Sequence, residues 1–162
     1  MAFTLANVCY QPVASITHNS VDTGATYDGV DVSWNATYLR ETNDQSPGDV
    51  INVLMTRNFE IKWNPHEAQQ ANLAMSMGLP ASAVSGGTLN LTNAQAAAAS
   101  LVITGVAGTG PSNKVRTWTF TQASPVGTGS IKVGKNGSAR PSMTFVGLYD
   151  TSTSKYGTVV DV

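Results

Sequence analysis

One short motif in the chain has the residue types of a catalytic site. Asp22-Thr23-Gly24-Ala25 matches the active-site tetrapeptide of aspartic proteases, enzymes in which two carboxylates share one proton. The chain contains a single copy of this motif, so an enzyme of that kind would have to be a dimer. The alternative is an ordinary glycine turn. We favour the turn and predict that Asp22 has no catalytic role.

A second motif, Gly105-Val106-Ala107-Gly108-Thr109-Gly110, has the glycine spacing that opens a phosphate-binding loop. The next residue is Pro111, where that motif requires a lysine, and no helix is predicted after it. A flexible connection between two strands is therefore our prediction for this segment.

The other reactive side chains are too scattered to form a site. Cys9, His18 and His66 do not have the spacing of metal ligands, and a single cysteine excludes an internal disulfide. The sequence has no Gly-x-Ser-x-Gly motif and no candidate base near a nucleophile. We therefore predict that the protein is not an enzyme and has no catalytic residue, cofactor or metal ion.

The composition predicts a polar surface with little charge. Charged residues make up 12 % of the chain and the net charge is −1, whereas an average soluble domain has about 25 % charged residues. Such a surface suits burial against neighbouring molecules, because a hydroxyl or amide that finds a partner costs far less to bury than a charge. The composition favours self-assembly. The alternative is a secreted or surface β-sandwich that binds a ligand such as a carbohydrate.

Length and hydropathy limit the other possibilities. The 162 residues fit a single domain, and no apolar run approaches the roughly 18 residues of a membrane span. The first residues, Met1-Ala2-Phe3-Thr4-Leu5, lack the basic start and apolar run of a signal peptide. We therefore expect synthesis in the cytoplasm and no membrane partner.

Two long amphipathic strands are predicted in the first half of the chain. Apolar and polar residues alternate through 30–38 and again through 51–63, which is the pattern of strands with one wet and one dry face. Between them, residues 40–50 contain the turn signal Ser46-Pro47-Gly48-Asp49. We predict a hairpin with an extended loop at 40–50, preceded by an N-terminal arm at 1–20 that includes a short strand near Val13–Thr17.

One α-helix is predicted at about residues 64–77. Asn64 suits its N-cap and Pro65 its first helical position, Glu67 completes a capping box, and Gly78 ends the helix. The predicted fold class is mainly β, a two-sheet sandwich or small barrel with this one flanking helix. Further strands are predicted at Leu101–Thr104, Lys114–Gln122, Ser130–Val133, Ser142–Tyr149 and Thr158–Val160.

Several of these segments, taken in order, resemble a known family. They are the strand that ends in Asp44-Gln45, the long turn and second strand after it, the helix Glu67-x4-Asn72-Leu73-Ala74-x3-Gly78, and the late strand Ser142–Asp150. Over about residues 28–78 and 138–152 they resemble the tail tube proteins of long, non-contractile-tailed bacteriophages. Residues 81–135 contain no motif of that family.

The resemblance implies a virion structural protein that is made in the cytoplasm of the bacterial host. In this family six copies form a ring, and stacked rings form the hollow phage tail tube through which DNA leaves. The implied partners are copies of the chain itself, other phage tail proteins, and double-stranded DNA in transit without specific binding. The loop between the long strands would contact the neighbouring subunit or ring, through Asn43, Asp44, Gln45, Ser46, Pro47, Gly48 and Asp49.

A tube that passes DNA must not hold it, because each phosphate neutralised by a fixed Lys or Arg adds affinity. The polar faces of the two long strands offer a neutral or acidic lining, with the exception of Lys62, which we expect to pair with an acid. The opposite faces, with Trp34, Phe59 and Ile61, would then form the core. The alternative is that the polar faces meet solvent outside the tube. The predicted lumen-lining residues are Asp31, Ser33, Asn35, Thr37, Asn52, Thr56, Asn58 and Glu60.

Overall fold

The computed structural model describes residues 13–42, 49–66, 69–105, 115–128 and 141–162. The helix α1 (Gln70–Ser76) follows the fourth strand, and a 3₁₀ turn (Ala81–Ala83) follows α1. The strands in chain order are β1 (Val13–His18), β2 (Val21–Asp22), β3 (Thr26–Thr42), β4 (Asp49–Pro65), β5 (Val84–Ser85), β6 (Thr88–Leu89), β7 (Ala99–Gly105), β8 (Arg116–Pro125), β9 (Met143–Leu148) and β10 (Gly157–Asp161).

Eight of these strands form one antiparallel sheet. Their order is β2-β1-β7-β8-β9-β4-β3, and β10 pairs with β8 in addition. Strand β8 is shared, because Arg116–Phe120 pairs with β10 and Gln122–Pro125 pairs with β9. β3 and β4 form a hairpin of two 17-residue strands, but β9 pairs only with Phe59–Trp63. The hairpin therefore extends well past β9.

The sheet curls until β1 lies against β3, and the enclosed space is the hydrophobic core. Within it the Trp63 and Phe145 rings stack with centroids 5.1 Å apart, and Phe59 meets Phe120 edge-on at 5.8 Å. Full burial of one such side chain stabilises the fold by about 1.5–3 kcal/mol. The buried members of this core are Ile16, Ile61, Trp63, Leu101, Ile103, Phe120, Ala123, Met143 and Phe145.

The predicted fold class is confirmed. The described residues are mainly β, with a large antiparallel sheet, a small second sheet formed by β5 and β6, and one α-helix. The second sheet lies within residues 81–97, where the sequence analysis predicts no strand. The sequence signal for this second sheet is the Gly86-Gly87 pair. Both residues adopt positive φ angles, 57° and 76°, as two-residue hairpin turns require.

The predicted start of the helix was wrong. Asn64 and Pro65 end β4, where Pro65 pairs with Thr26 and is fully buried. The alternation of β4 continues through Trp63 to Pro65, so burial of these side chains outweighs the capping preference of Asn64. α1 begins after Gln69, which provides no side-chain cap.

The predicted end of the helix was right. Gly78 adopts φ +72°, the conformation that glycine favours after a helix, and a Cβ atom there would lie 3.1 Å from the backbone nitrogen of Gly127. On the helix face, Met75 packs against the main core while Ala74 is buried in a separate small cluster with Leu79. The helix thus covers one end of the curled sheet.

Candidate functional site at the open end of the sandwich

The Asp22 motif forms a turn that joins three elements. Oδ1 of Asp22 accepts a hydrogen bond from the Gly24 amide at 2.9 Å. Thr23 is buried, and its hydroxyl donates to the Ile16 carbonyl at 3.1 Å. The Asn72 side chain of α1 donates to the Thr23 carbonyl at 2.9 Å. Each residue of the motif therefore has a structural task, and the absence of a catalytic role stays a prediction.

His18 is buried in the core and has a defined environment. Its Nε2 lies 3.3 Å from the Ala123 carbonyl oxygen, so we assign the ring proton to Nε2, and its ring meets Phe145 edge-on at 4.8 Å. Burial lowers the pKa of His18, and the hydrogen bond to Ala123 opposes that shift only in part. The described ranges contain no cluster of His, Cys, Asp and Glu that could hold a metal ion. Cys9 lies outside those ranges.

The glycine-rich segment is described only at its first residue. Gly105 ends β7, where it pairs with Val13 of β1. The rest of the motif, residues 106–110, lies outside the described residues, so the predicted strand connection stays a prediction.

The part of the β3–β4 hairpin beyond β9, residues 34–42 and 49–58, is here called the open end. Its apolar side chains are exposed to a degree that is unusual for their size. Trp34 is 66 % exposed, Met55 59 %, Leu54 43 % and Tyr38 42 %. No described strand other than β3 and β4 pairs with this stretch of the hairpin. The open end therefore presents an apolar surface that the described chain leaves uncovered.

Trp34 is not the core residue that the alternation predicts. It continues the face of Val30 and Val32, which pack against the core, and it lies opposite Phe59 in register. Of the three residues predicted for the core, Ile61 is buried, Phe59 is half-buried and Trp34 is exposed. The Trp34 side chain lines a groove and is exposed there rather than packed in the core.

A β-bulge at Met55 changes the faces of β4. Thr37 pairs with Thr56 but Tyr38 pairs with Leu54, so Met55 is an extra residue in β4. Beyond the bulge the alternation of β4 shifts by one position relative to β3. Asn52, predicted to line the lumen, has the register position opposite Arg40 and so does not continue the face of Thr56.

The other predicted lumen-lining residues share one face of the hairpin, which we call the polar face. Their side chains are exposed, apart from Glu60, which is half-buried. Whether this face lines a lumen stays a prediction. The cross-strand pairs on it are Asp31 with Lys62, Ser33 with Glu60, Asn35 with Asn58 and Thr37 with Thr56.

The basic side chain on the polar face is paired with an acid. Nζ of Lys62 lies 2.8 Å from Oε2 of Glu60, as the sequence analysis expects. Both side chains are about half exposed, so the pair adds little stability, but it cancels the positive charge. Among the described side chains of this face, Asp31 carries the remaining charge.

The predicted contact loop lies almost entirely outside the described residues. This holds for Asn43, Asp44, Gln45, Ser46, Pro47 and Gly48, and their role stays a prediction. β3 reaches Thr42 and β4 begins at Asp49, which pairs with Thr42. The strands thus run further into residues 40–50 than the turn signals predict.

A groove on the β4–β10 side of the open end, here the basic groove, has a volume of about 490 Å³. An aromatic cluster lines it: Tyr156 lies 5.0 Å from Phe59 and 5.3 Å from Tyr149, measured between ring centroids. The Tyr156 hydroxyl donates to the Arg57 carbonyl, which ties the hairpin to the turn before β10. The charged side chains that line this groove are Arg57 and Lys155.

A second groove, here the acidic groove, lies on the β3–β1 side and has a volume of about 630 Å³. Its charged lining residues are Asp28, Asp31 and Arg116. Arg116 donates from Nε and Nη2 to the two carboxylate oxygens of Asp161, at 2.6 and 2.8 Å. This bidentate pair neutralises the arginine. The Asp31 side chain belongs to the polar face, so Asp28 gives the groove its net charge. Trp34 stands at its edge.

The sequence analysis missed both grooves. The residues that form them are far apart in sequence, and β10, which supplies Val159, is predicted only as a short strand. Tyr149 and Tyr156 are close to each other because Asp150 pairs with Lys155 and because its carboxylate accepts hydrogen bonds from the Ser152 and Thr153 hydroxyls at 2.7 and 2.8 Å. The Asp-x-Ser-Thr pattern of this turn was the available signal.

Comparison with models of known protein families gives no match, and comparison with curated protein sequences gives none either. Among the described residues, no helix is long and apolar enough to cross a membrane. The features that bear on function are therefore the open end, the two grooves and the polar face.

Proposed function

We propose that the protein is a structural subunit that assembles with copies of itself into stacked rings, and that these rings form the tail tube of a bacteriophage. The observation that carries the proposal is the uncovered apolar face of the open end, with Trp34, Tyr38 and Leu54 on one side of the hairpin. Soluble monomers rarely leave a contiguous apolar surface exposed. Burial between copies would remove this surface from water.

The edges of the sheet support assembly through strand pairing. Among the described strands, β3 pairs only with β4, and β10 pairs only with β8. Each therefore has one row of backbone groups without a strand partner. A long free edge of this kind readily pairs with another chain. Sheets joined between copies would satisfy these backbone groups and bury the open end in the same step.

The choice of a tail tube, rather than another assembly, rests on the resemblance in sequence. Tail tube proteins join their sheets around a ring of six copies, and both the low charge of the chain and the two-strand hairpin suit this arrangement. In such a ring the polar face lines the channel. Its described side chains are neutral or acidic once Lys62 is paired with Glu60, so it would let DNA pass without holding it.

The proposal is tested by imaging the purified full-length protein by negative-stain electron microscopy, with sedimentation velocity over a range of concentrations. We expect rings, and tubes of stacked rings, that grow with concentration. Monomers at every concentration would contradict the proposal and favour a binding module. Dimers that cleave a peptide, with cleavage lost in Asp22→Asn, would favour an aspartic protease.

The channel lining has a separate test in assembled phage. Asn35 and Asn58 are cross-strand partners on the polar face, so the double change to Arg places new positive charge at one level of the channel. We expect tubes to form, DNA ejection to slow, and higher salt to relieve the defect. The matched control changes both residues to Ser. Normal ejection by the Arg variant at low salt would exclude a channel position for this face.

A further inference from the structure

We infer that the Trp34 edge of one copy docks into the basic groove of the next copy in a head-to-tail contact. This inference rests on the proposed assembly into rings and adds which surfaces meet. The Trp34 edge comprises Trp34 with Asp28, on the acidic-groove side of the molecule. The receiving surface is the aromatic basic groove on the β4–β10 side.

The positions of the two surfaces suit a ring. The acidic groove lies between β3 and the ends of β1 and β7, whereas the basic groove lies between β4 and β10. Trp118 lines both and therefore stands between them. The two surfaces differ in position: the basic groove lies at the open end, whereas the acidic groove lies beside Val30 and Val32, on the other side of Trp118. A contact between unlike surfaces repeats from copy to copy and closes into a ring when the rotation permits.

The apolar parts of the two surfaces are complementary. Trp34 projects from the hairpin with 66 % of its surface exposed. The basic groove offers ring faces and edges from Phe59, Tyr149 and Tyr156, and half of the Tyr149 and Val159 surfaces is exposed there. Aromatic rings pack well against one another in edge-to-face and offset arrangements, and large aromatic side chains commonly anchor interfaces.

The charges are complementary as well. The basic groove is lined by Arg57 and Lys155 and by no described acidic residue. The acidic groove retains Asp28 after Arg116 is neutralised by Asp161. Two copies in a head-to-tail contact would bring unlike charges together. A contact between two basic grooves, or between two acidic ones, would bring like charges together, which disfavours a symmetric dimer.

The first experiment compares two exposed apolar residues. Trp34→Ser should raise the protein concentration needed for ring formation by about tenfold or more, as expected for an anchor residue. The matched control is Leu91→Ser, because Leu91 is 75 % exposed and lines neither groove. It should assemble as the wild type does. Thermal melting of the unassembled proteins checks that both variants remain folded.

The second experiment exchanges the charges. Asp28→Lys should impair assembly, and so should Arg57→Glu with Lys155→Glu. All three changes in one chain should restore assembly to within about threefold of the wild type, since the surfaces are again complementary. The impairment should be strongest at low salt. Rescue by the combined variant is specific to a contact between these two surfaces.

The outcomes separate this inference from the proposed function. If the wild type forms rings and Trp34→Ser forms them equally well, the inference is wrong and the ring proposal stands. Failure of the variant with all three changes to assemble, while it remains folded, also overturns the inference, because complementary charges on these two surfaces then do not support assembly. If the wild type never assembles, the proposed function itself fails.

Discussion

The two ends of the β3–β4 hairpin carry the same alternating pattern and differ in what lies opposite them. At the closed end, Ile61 and Trp63 are buried in the core cluster together with Ile16 of β1 and Leu101 of β7. At the open end, Trp34 and its neighbours face a groove. Alternation therefore determines which face of a strand is apolar, and a separate element must cover that face. In this protein the chain covers one end, and we propose that other copies cover the opposite end.

The largest expected loss of stability comes from a substitution in the core at the closed end. Phe145→Ala removes a fully buried ring that stacks on Trp63, so we expect a loss of about 3–5 kcal/mol in the free energy of unfolding. Trp34→Ala in the unassembled protein should cost about 0.5 kcal/mol or less, as for other exposed positions. Urea titration of both variants measures the difference. Similar losses would show that the two ends are equally buried within one chain.

A second change separates the faces of the helix that covers the closed end. Ala74 is 1 % exposed, so Ala74→Asp places a charge in a small apolar cluster and should cost about 3 kcal/mol. Leu73→Asp, at a half-buried position, should cost less. If the order of the two losses is reversed in urea titrations, the helix face that we describe is wrong.

A third change tests the edge strand beside the basic groove. A Cβ atom on Gly157 would overlap the Thr119 carbonyl oxygen and lie 2.9 Å from Cα of Phe120. Gly157→Ala should therefore push β10 away from β8, with a cost of about 1–3 kcal/mol, and should speed amide exchange at Val159. Thr158→Ala is the control. Equal exchange in both variants would mean that β10 accommodates the methyl group.

The smallest expected effect concerns pH and the core. Because burial lowers the pKa of His18 in the folded state, the unfolded state binds the extra proton more readily. The stability contributed by the neutral ring is thus complete above the unfolded-state pKa of about 6.5 and declines as the pH falls towards the folded-state pKa. His18→Leu should remove this decline between pH 8 and pH 5. An unchanged pH profile would exclude His18 as its source.

The sequence predicted the fold where local patterns act alone. Strict alternation located β3 and β4, and Gly78 located the end of α1. The start of α1 was not predictable from Asn64 and Pro65, because strand pairing with Thr26 and burial of Pro65 outweigh a favourable capping pattern. The bulge at Met55 coincides with a break in the alternation, the consecutive apolar residues Val53-Leu54-Met55, but such a run does not by itself identify a bulge.

The candidate site was predictable only in part. The polar face follows from alternation and is found as predicted from Asp31 to Thr37. The grooves depend on residues that pairing brings together from distant parts of the chain, such as Arg57 and Tyr156. Trp34 is exposed because no strand in the described part of the chain covers it, and no local pattern encodes this.

The central claim, that other copies cover the open end, has one direct test. Amide hydrogen exchange is followed by mass spectrometry for peptides from β3 and β4 in dilute, unassembled protein and in assembled protein. We predict that residues 34–42 gain protection of about tenfold or more on assembly, while Ile61 and Trp63 at the closed end do not change. Equal exchange of residues 34–42 in the two states would contradict the account.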